Sequence, residues 1–209
     1  MAENDPAVDV RKRERHELVA VLLLSLVAVL TAWCGFESSK WGGDSGVAFS
    51  EASAARIEAA NFESEARDAR MLDLSVYTQW VLAEAHDDQS LAGYIEERFS
   101  PEFALAFDAW EDDGRTERGP FSMPEYVPPG SAAAMTALDR SDTAFAEALD
   151  FNEKGDSYSL MTVLFALVLF LAAIAQRGIS LVASRIILGV AGALAAGGVI
   201  VLLTFPIRW

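Results

Sequence analysis

Residues 43–46 read Gly-Asp-Ser-Gly, the pattern that surrounds the nucleophilic serine of trypsin-like proteases. That chemistry needs a histidine base hydrogen-bonded to the serine hydroxyl. Neither histidine suits Ser45, because His16 precedes the first apolar segment and His86 follows about 40 residues of predicted helix, at ~1.5 Å per residue. We therefore interpret this stretch as a hinge between helical segments, with Asp44 or Ser45 as an N-cap.

A second cluster with ligand chemistry is His86 with Glu84, Asp87 and Asp88. Transition metals favour several nitrogen or sulfur ligands, and no second histidine is predicted on this side of the membrane. A weak calcium or magnesium site is the alternative, since those ions prefer carboxylate oxygens. The chain has no Walker motif, dinucleotide fingerprint or Cys/His metal spacing. We predict no catalytic residue, no cofactor and no metal centre, and we do not expect an enzyme.

Acidic residues concentrate in the middle of the chain. The net charge is −15, and residues 37–156 alone hold 26 acidic and 9 basic residues. Such a surface repels nucleic acids and attracts cations. We therefore exclude DNA and RNA as partners and retain cations as candidates.

The first apolar segment runs from Leu18 to Phe36. About 20 apolar residues suffice to cross a bilayer, and no small-x-small cleavage site follows, so we predict a retained anchor at residues 18–36. Basic residues stay on the cytoplasmic side of membranes, which makes residues 1–17 a cytoplasmic segment. The basic residues are Arg11, Lys12, Arg13 and Arg15.

Two further apolar runs, Leu160–Ala175 and Ile186–Phe205, contain no ionisable residue. Arg177 and Arg185 between them place that connection in the cytoplasm. The predicted order is residues 159–176 as the second transmembrane helix, 177–185 as a cytoplasmic turn, 186–205 as the third transmembrane helix, and 206–209 as an outer C-terminus.

Residues 37–158 are predicted to form an acidic, helical, extracytoplasmic domain. Small side chains recur along its first helix at alternating steps of four and three residues, with Asp73 as the one interruption. This spacing keeps side chains on the face of a helix that packs against a supercoiled partner. The seam consists of Ala48, Ala52, Ala55, Ala59, Phe62, Ala66, Ala69, Val76, Trp80 and Ala83.

The partner of that helix is predicted to start at Ser131 and to run into the second span. Its seam has the same spacing, so we expect a close antiparallel pair. Between the two, short helices are predicted at 90–99 and 102–110, the second with Ser100 as its N-cap. A loop that is rich in proline and glycine follows over 111–130. The seam of the returning helix consists of Ala134, Ala137, Ser141, Ala144, Ala148, Phe151, Gly155 and Tyr158.

Small residues also recur in the third span, where Gly189, Gly192 and Gly197 would let helix backbones approach closely. Two alternatives stay open: packing against the other spans of the same chain, or against another subunit. The sequence thus predicts an all-α membrane protein with three transmembrane helices and a long helical-hairpin ectodomain between the first and the second.

Three stretches carry a resemblance to known sequences: TAWCGFESSKWGG at residues 31–43, RFSPEFALAFDAW at 98–110 and PFSMPEY at 120–126. Together they resemble a family of uncharacterised small bacterial membrane proteins with three spans. The resemblance implies a location in the bacterial inner membrane, and it supplies no catalytic residues.

Two functions follow as hypotheses. The first is a non-enzymatic envelope protein that forms a homo-oligomer and whose ectodomain binds an envelope protein partner or organises the membrane lipid around it. The second is an oligomeric channel whose acidic ectodomain concentrates cations, with Ser25, Thr31 and Cys34 lining a narrow path. Cys34, the single cysteine, is otherwise expected to be a small buried residue, with an interchain disulfide or a lipid attachment as the alternatives.

Overall fold

A computed structural model of the chain describes residues 6–177 and 180–207. Within those ranges the chain is helical and contains no strand. The helices are α1 (Pro6–Ala85), α2 (Gln89–Glu96), α3 (Pro101–Asp112), α4 (Ser131–Ala175) and α5 (Leu181–Leu202), with one turn of 3-10 helix at Pro120–Ser122.

The chain divides into two compact units. Residues 1–49 and 146–209 form one unit, which we call the apolar unit, and residues 50–145 form the other, which we call the acidic unit. Three helices, α1, α4 and α5, are long and apolar enough to cross a membrane. In the part of the chain that the structure describes, the predicted number of long apolar helices is therefore confirmed.

In the apolar unit, α1 buries every seventh residue, and side chains of α4 and α5 cover that face. On a straight helix, residues seven apart shift gradually around the helix axis. Burial of every seventh residue therefore indicates two helices that stay packed on one another over several turns. The fully or nearly buried residues of this core are Ala20, Val27, Cys34 and Trp41 on α1, Tyr158, Phe165, Val168 and Ala172 on α4, and Leu188, Ala191 and Ala195 on α5.

In the acidic unit, α1 and α4 pack through small side chains, and the end of α1 contributes to an aromatic core. The core joins the end of α1 to α2, α3 and the loop that follows. Ser100 caps α3 as predicted, because its hydroxyl accepts a hydrogen bond of 3.2 Å from the amide of Phe103. The buried aromatic residues are Trp80, Phe103, Phe107, Trp110 and Tyr126.

The predicted hinge at residues 41–46 is wrong, since α1 stays helical through it. Glycine inside a helix costs only about 1 kcal/mol relative to alanine, and packing on α4 outweighs that cost. Trp41 is buried with its ring centroid 5.7 Å from that of Phe151, and the Ser45 hydroxyl donates a hydrogen bond of 2.9 Å to the carbonyl of Ala148. Ser45 is therefore a packing residue.

The last helix also differs from its predicted bounds. It begins at Leu181, where the Ser180 hydroxyl accepts a hydrogen bond from the amide of Ala183, so Arg185 lies inside the helix and not in the turn. It ends at Leu202, and residues 203–205 form a turn. Residues 1–5 of the predicted cytoplasmic segment, residues 178–179 of the turn and residues 208–209 of the C-terminus lie outside the described residues, as do the side chains of Arg11–Arg15.

Candidate functional site

The helix pair of the acidic unit is built around alanine. Ala52, Ala55 and Ala59 are buried, whereas Ala66 and Ala69 are half-buried along with Phe62. Opposite them the Ser141 hydroxyl donates a hydrogen bond of 3.0 Å to the backbone carbonyl of Ala52. A serine side chain is short, so it reaches a backbone carbonyl on the neighbouring helix only where the two helices approach closely.

The same close approach occurs in the apolar unit, where Ala48 is buried on α1. A Cβ atom added at Gly155 of α4 would lie 3.5 Å from the carbonyl oxygen of Ser38 and 3.5 Å from Cβ of Trp41. Those are ordinary van der Waals distances, so the position has room for a methyl group and for little more. Residues of the predicted seams thus lie between the helices in each unit.

The two sides of the helix pair in the acidic unit differ in charge. On one side, which we call the arginine flank, Arg56, Glu63 and Arg67 of α1 face Met135, Leu138 and Asp142 of α4. A groove of about 310 Å³ runs along it, and Arg56 lies 3.9 Å from Asp142. Phe145 follows Leu138 by seven residues, so it lies on the same flank.

The opposite side, which we call the carboxylate flank, carries Glu51, Glu58, Glu65 and Asp68 on α1. A smaller groove of about 260 Å³ lies here, lined by residues 51, 54 and 55 of α1 and 140 and 144 of α4. Arg140 forms an ion pair with Glu58 across the groove. Carboxylates therefore dominate this flank, whereas the other carries apolar side chains together with arginines and their carboxylate partners.

The aromatic core at the end of α1 satisfies its own polar groups. The phenol of Tyr126 donates to Asp73 at 2.8 Å, and both side chains are buried. The indole of Trp80 donates to Glu96 at 2.6 Å, and that of Trp110 donates to the carbonyl of Glu117 at 2.8 Å. Burial, together with the hydrogen bond to Asp73, raises the pKa of the Tyr126 phenol well above its ordinary value.

The loop before α4 is held by Gly130. Its φ is +85°, and an added Cβ would lie 2.7 Å from the carbonyl oxygen of Phe62 on α1. No side chain tolerates that distance from a backbone atom, so glycine is required twice at this position: for conformation and for space. The loop is thereby packed directly against α1.

Glu37 is a residue that sequence reasoning missed. The sequence places it at the start of the predicted ectodomain, yet its side chain is fully buried in the apolar unit. It lies three residues after Cys34 and four before Trp41, both of which are buried on the same face of α1. Extending the seam spacing backwards from Ala48 gives residues 45, 41, 38 and 34, so the pattern passes beside Glu37 and does not identify it. A buried carboxyl group beside an apolar core is costly, so its surroundings have to compensate.

The three residues predicted to line a path do not come together in the single chain. Ser25 is exposed, Thr31 is half-buried with its hydroxyl donating to the carbonyl of Val27 at 2.8 Å, and Cys34 is fully buried. Nine residues separate Ser25 from Cys34, which puts them on opposite faces of a helix with 3.6 residues per turn.

The glycines predicted for close packing in the third span face outward within the chain. Gly189 and Gly197 are exposed and Gly192 is half-buried, and an added Cβ would meet nothing within 4 Å at any of them. The buried glycine is Gly198, where an added Cβ would lie 2.9 Å from a ring carbon of Phe165. Gly189 and Gly197 therefore do not pack closely inside the chain in this structure, whereas Gly192 borders a groove between α5 and α1.

The side chains considered for catalysis or metal binding contact backbone carbonyls within the fold. Besides Ser45, whose hydroxyl donates to a backbone carbonyl, the ring Nδ1 of His86 lies 2.7 Å from the carbonyl of Leu82. No group of three or more His, Cys, Asp or Glu side chains is arranged to hold a metal ion in the part of the chain that the structure describes.

Comparison with known proteins adds no relative. No family model, no curated protein and no solved structure matches the chain.

Proposed function

We propose that this chain is a non-enzymatic membrane protein of the bacterial inner membrane that self-associates, with an extracytoplasmic helical domain that binds a partner or organises the membrane. The N-terminus would be cytoplasmic and residues 37–158 extracytoplasmic. The proposal rests on the three apolar helices, on the basic cluster before the first of them, and on the acidity of the middle segment.

The observation that carries self-association is the outward position of small residues on α5. Gly189, Ala193 and Gly197 follow one another at four-residue spacing, and all three are exposed in the single chain. In lipid no hydrophobic force drives helices together, so the association of helices depends on the close packing that small side chains permit. A ridge of this kind facing lipid suits the approach of a helix from another copy.

A second support is the apolar surface of the acidic unit. Long apolar side chains are exposed on the part of the chain proposed to face water, among them Met71, Leu72, Met135 and Leu138. Exposed apolar patches on soluble surfaces mark interaction sites. An interaction protein accounts for them without any catalytic group.

Two measurements test the proposal. Light scattering of the full-length protein in lipid nanodiscs or detergent should give a mass above that of one chain, and a strict monomer across concentration would contradict self-association. For topology, a cysteine introduced at Asp112 should react with a membrane-impermeant maleimide on intact cells, whereas one at Arg177 should react only after lysis. The reverse pattern would contradict the proposed orientation.

A cation channel is the second candidate, and the exposed hydroxyl of Ser25 is the observation that favours it. The apolar unit of one chain is closely packed around Val27, Cys34 and Phe165, so a path would have to lie between copies. Ser25 is the kind of group that could face such a path. Cation flux into liposomes holding oligomeric protein would support a channel, and an absence of flux would remove it.

A further inference from the structure

We infer that the acidic units of neighbouring copies bind one another side by side, with the arginine flank of one copy against the carboxylate flank of the next. The occupant of each flank is therefore a second copy of this chain. This inference rests on the proposed self-association and names the surface outside the membrane that takes part in it.

Charge complementarity is the first argument. Arg56 and Arg67 on the arginine flank keep about two-thirds of their side-chain surface exposed, at 63% and 67%. Their ion-pair partners, Asp142 and Glu63, are also exposed, and the guanidinium nitrogens lie 3.9 and 3.7 Å from the respective carboxylate oxygens. Such long, solvated ion pairs are weak, so the arginines can exchange them for carboxylates on another copy at little cost.

The carboxylate flank presents the complementary charge at the same level of the helix. Glu65 and Asp68 are exposed on α1 within three residues of Arg67 along the chain, but on the opposite side of the seam. One helix therefore carries arginine towards one neighbour and carboxylate towards the other. Opposite charges arranged in this way steer two surfaces together and fix their register.

Apolar side chains supply the buried area that charges alone cannot. Met135, Leu138 and Phe145 on the arginine flank are exposed by 69%, 42% and 42%. On the carboxylate flank Leu72 follows Glu65 by seven residues and is exposed by 65%. An apolar centre with charges at its edge is the usual composition of a protein interface.

Symmetry explains why the two flanks need to differ. Copies anchored in one membrane with the same orientation are related by rotation about the membrane normal. Such a rotation can bring the left side of one copy against the right side of the next, which is a heterologous contact and closes into a ring. Unlike flanks suit this contact, whereas two identical carboxylate flanks would repel each other.

The test uses charge reversal in the full-length protein reconstituted in liposomes, with donor and acceptor dyes on the N-termini of separate batches. The first variant is Arg56→Glu with Arg67→Glu, and the second is Glu65→Arg with Asp68→Arg. Each variant alone should associate at least about tenfold more weakly than the natural sequence, because like charges would meet across the contact. A mixture of the two variants should recover energy transfer, because opposite charges meet again.

Controls separate this inference from the proposed function. Asp108→Arg with Asp112→Arg changes the net charge by the same amount as the second variant, but on the exposed side of α3, and should leave association unchanged. If the natural sequence shows no energy transfer at any protein-to-lipid ratio, self-association itself fails. If it associates but neither reversal weakens it, or the mixture does not recover, the flanks are not the contact and self-association stands. Recovery in the mixture also demonstrates that both variants fold.

Discussion

The hydroxyl of Tyr126 donates a hydrogen bond of 2.8 Å to Oδ2 of Asp73, and this bond joins the loop before α4 to the seam of α1. Asp73 is buried at the one position where the seam of small and apolar residues is interrupted. A carboxylate at such a position is costly unless a donor meets it. The interruption seen in the sequence is thus the place where the loop before α4 is attached to α1.

The two partners of this bond should contribute to stability jointly and not independently. Tyr126→Phe leaves the buried Asp73 without this donor and should lower the free energy of unfolding by about 1.5–3 kcal/mol. Adding Asp73→Ala to Tyr126→Phe should cost less than the sum of the single changes. Thermal unfolding of the four proteins gives the coupling energy, and strictly additive losses would contradict a shared bond.

The raised pKa of Tyr126 predicts an alkaline loss of stability. In the unfolded chain this phenol ionises near pH 10, whereas in the folded protein burial and Asp73 keep it protonated to higher pH. The stabilisation is therefore complete below pH 10 and is lost as the pH rises further, at up to about 1.4 kcal/mol per pH unit. Unfolding between pH 8 and 11.5 measures it. Tyr126→Phe should show a shallower slope over that range, and an equal slope would contradict the assignment.

Gly130→Ala should destabilise the acidic unit by about 2 kcal/mol or more. The new methyl group would meet the Phe62 carbonyl at 2.7 Å, in addition to the strain of a φ of +85°. Gly114→Ala is the matched control, because φ there is +71° but nothing lies within 4 Å, and we expect a loss of about 1 kcal/mol. Equal losses for the two variants would show that the contact with Phe62 does not contribute.

The alanine seam predicts that a larger side chain lowers the free energy of unfolding where it lies between α1 and α4, but not on the exposed side of α1. Ala55→Leu puts three extra carbons between α1 and α4 where the alanine is 2% exposed, and should cost about 1–3 kcal/mol. Ala60→Leu, on an exposed position of the same helix, should change the free energy of unfolding by less than about 0.5 kcal/mol. Chemical denaturation of both variants decides the point, and a tolerated Ala55→Leu would show that the helices do not approach closely.

Two adjacent glycines offer a sharper comparison in the apolar unit. Gly198→Ala would place a methyl group 2.9 Å from the ring of Phe165, which is fully buried. We expect a lower melting temperature in detergent, from a loss of about 1–3 kcal/mol. Gly197→Ala faces open space and should melt at or slightly above the temperature of the natural sequence.

Spacing along the sequence predicted which residues lie between α1 and α4, because a repeat of seven is a local property that any packed helix pair has to satisfy. Ala52, Ala55 and Ser141 are buried for that reason. The length and hydropathy of the apolar segments likewise predicted the number of apolar helices. The capping preference of serine predicted the N-cap at Ser100.

Only the tertiary structure decided those features that depend on which side chains of one helix pack against another. Glycines at residues 42, 43 and 46 predict a hinge, yet packing of α4 on Trp41 and Ser45 keeps α1 helical, because contacts between helices outweigh weak local propensities. Whether Gly197 or Gly198 faces Phe165 depends on the rotation of α5 against α4, and the burial of Glu37 depends on its neighbours in space. A pattern along one helix fixes the spacing of its contacts, but only the fold fixes what each contact meets.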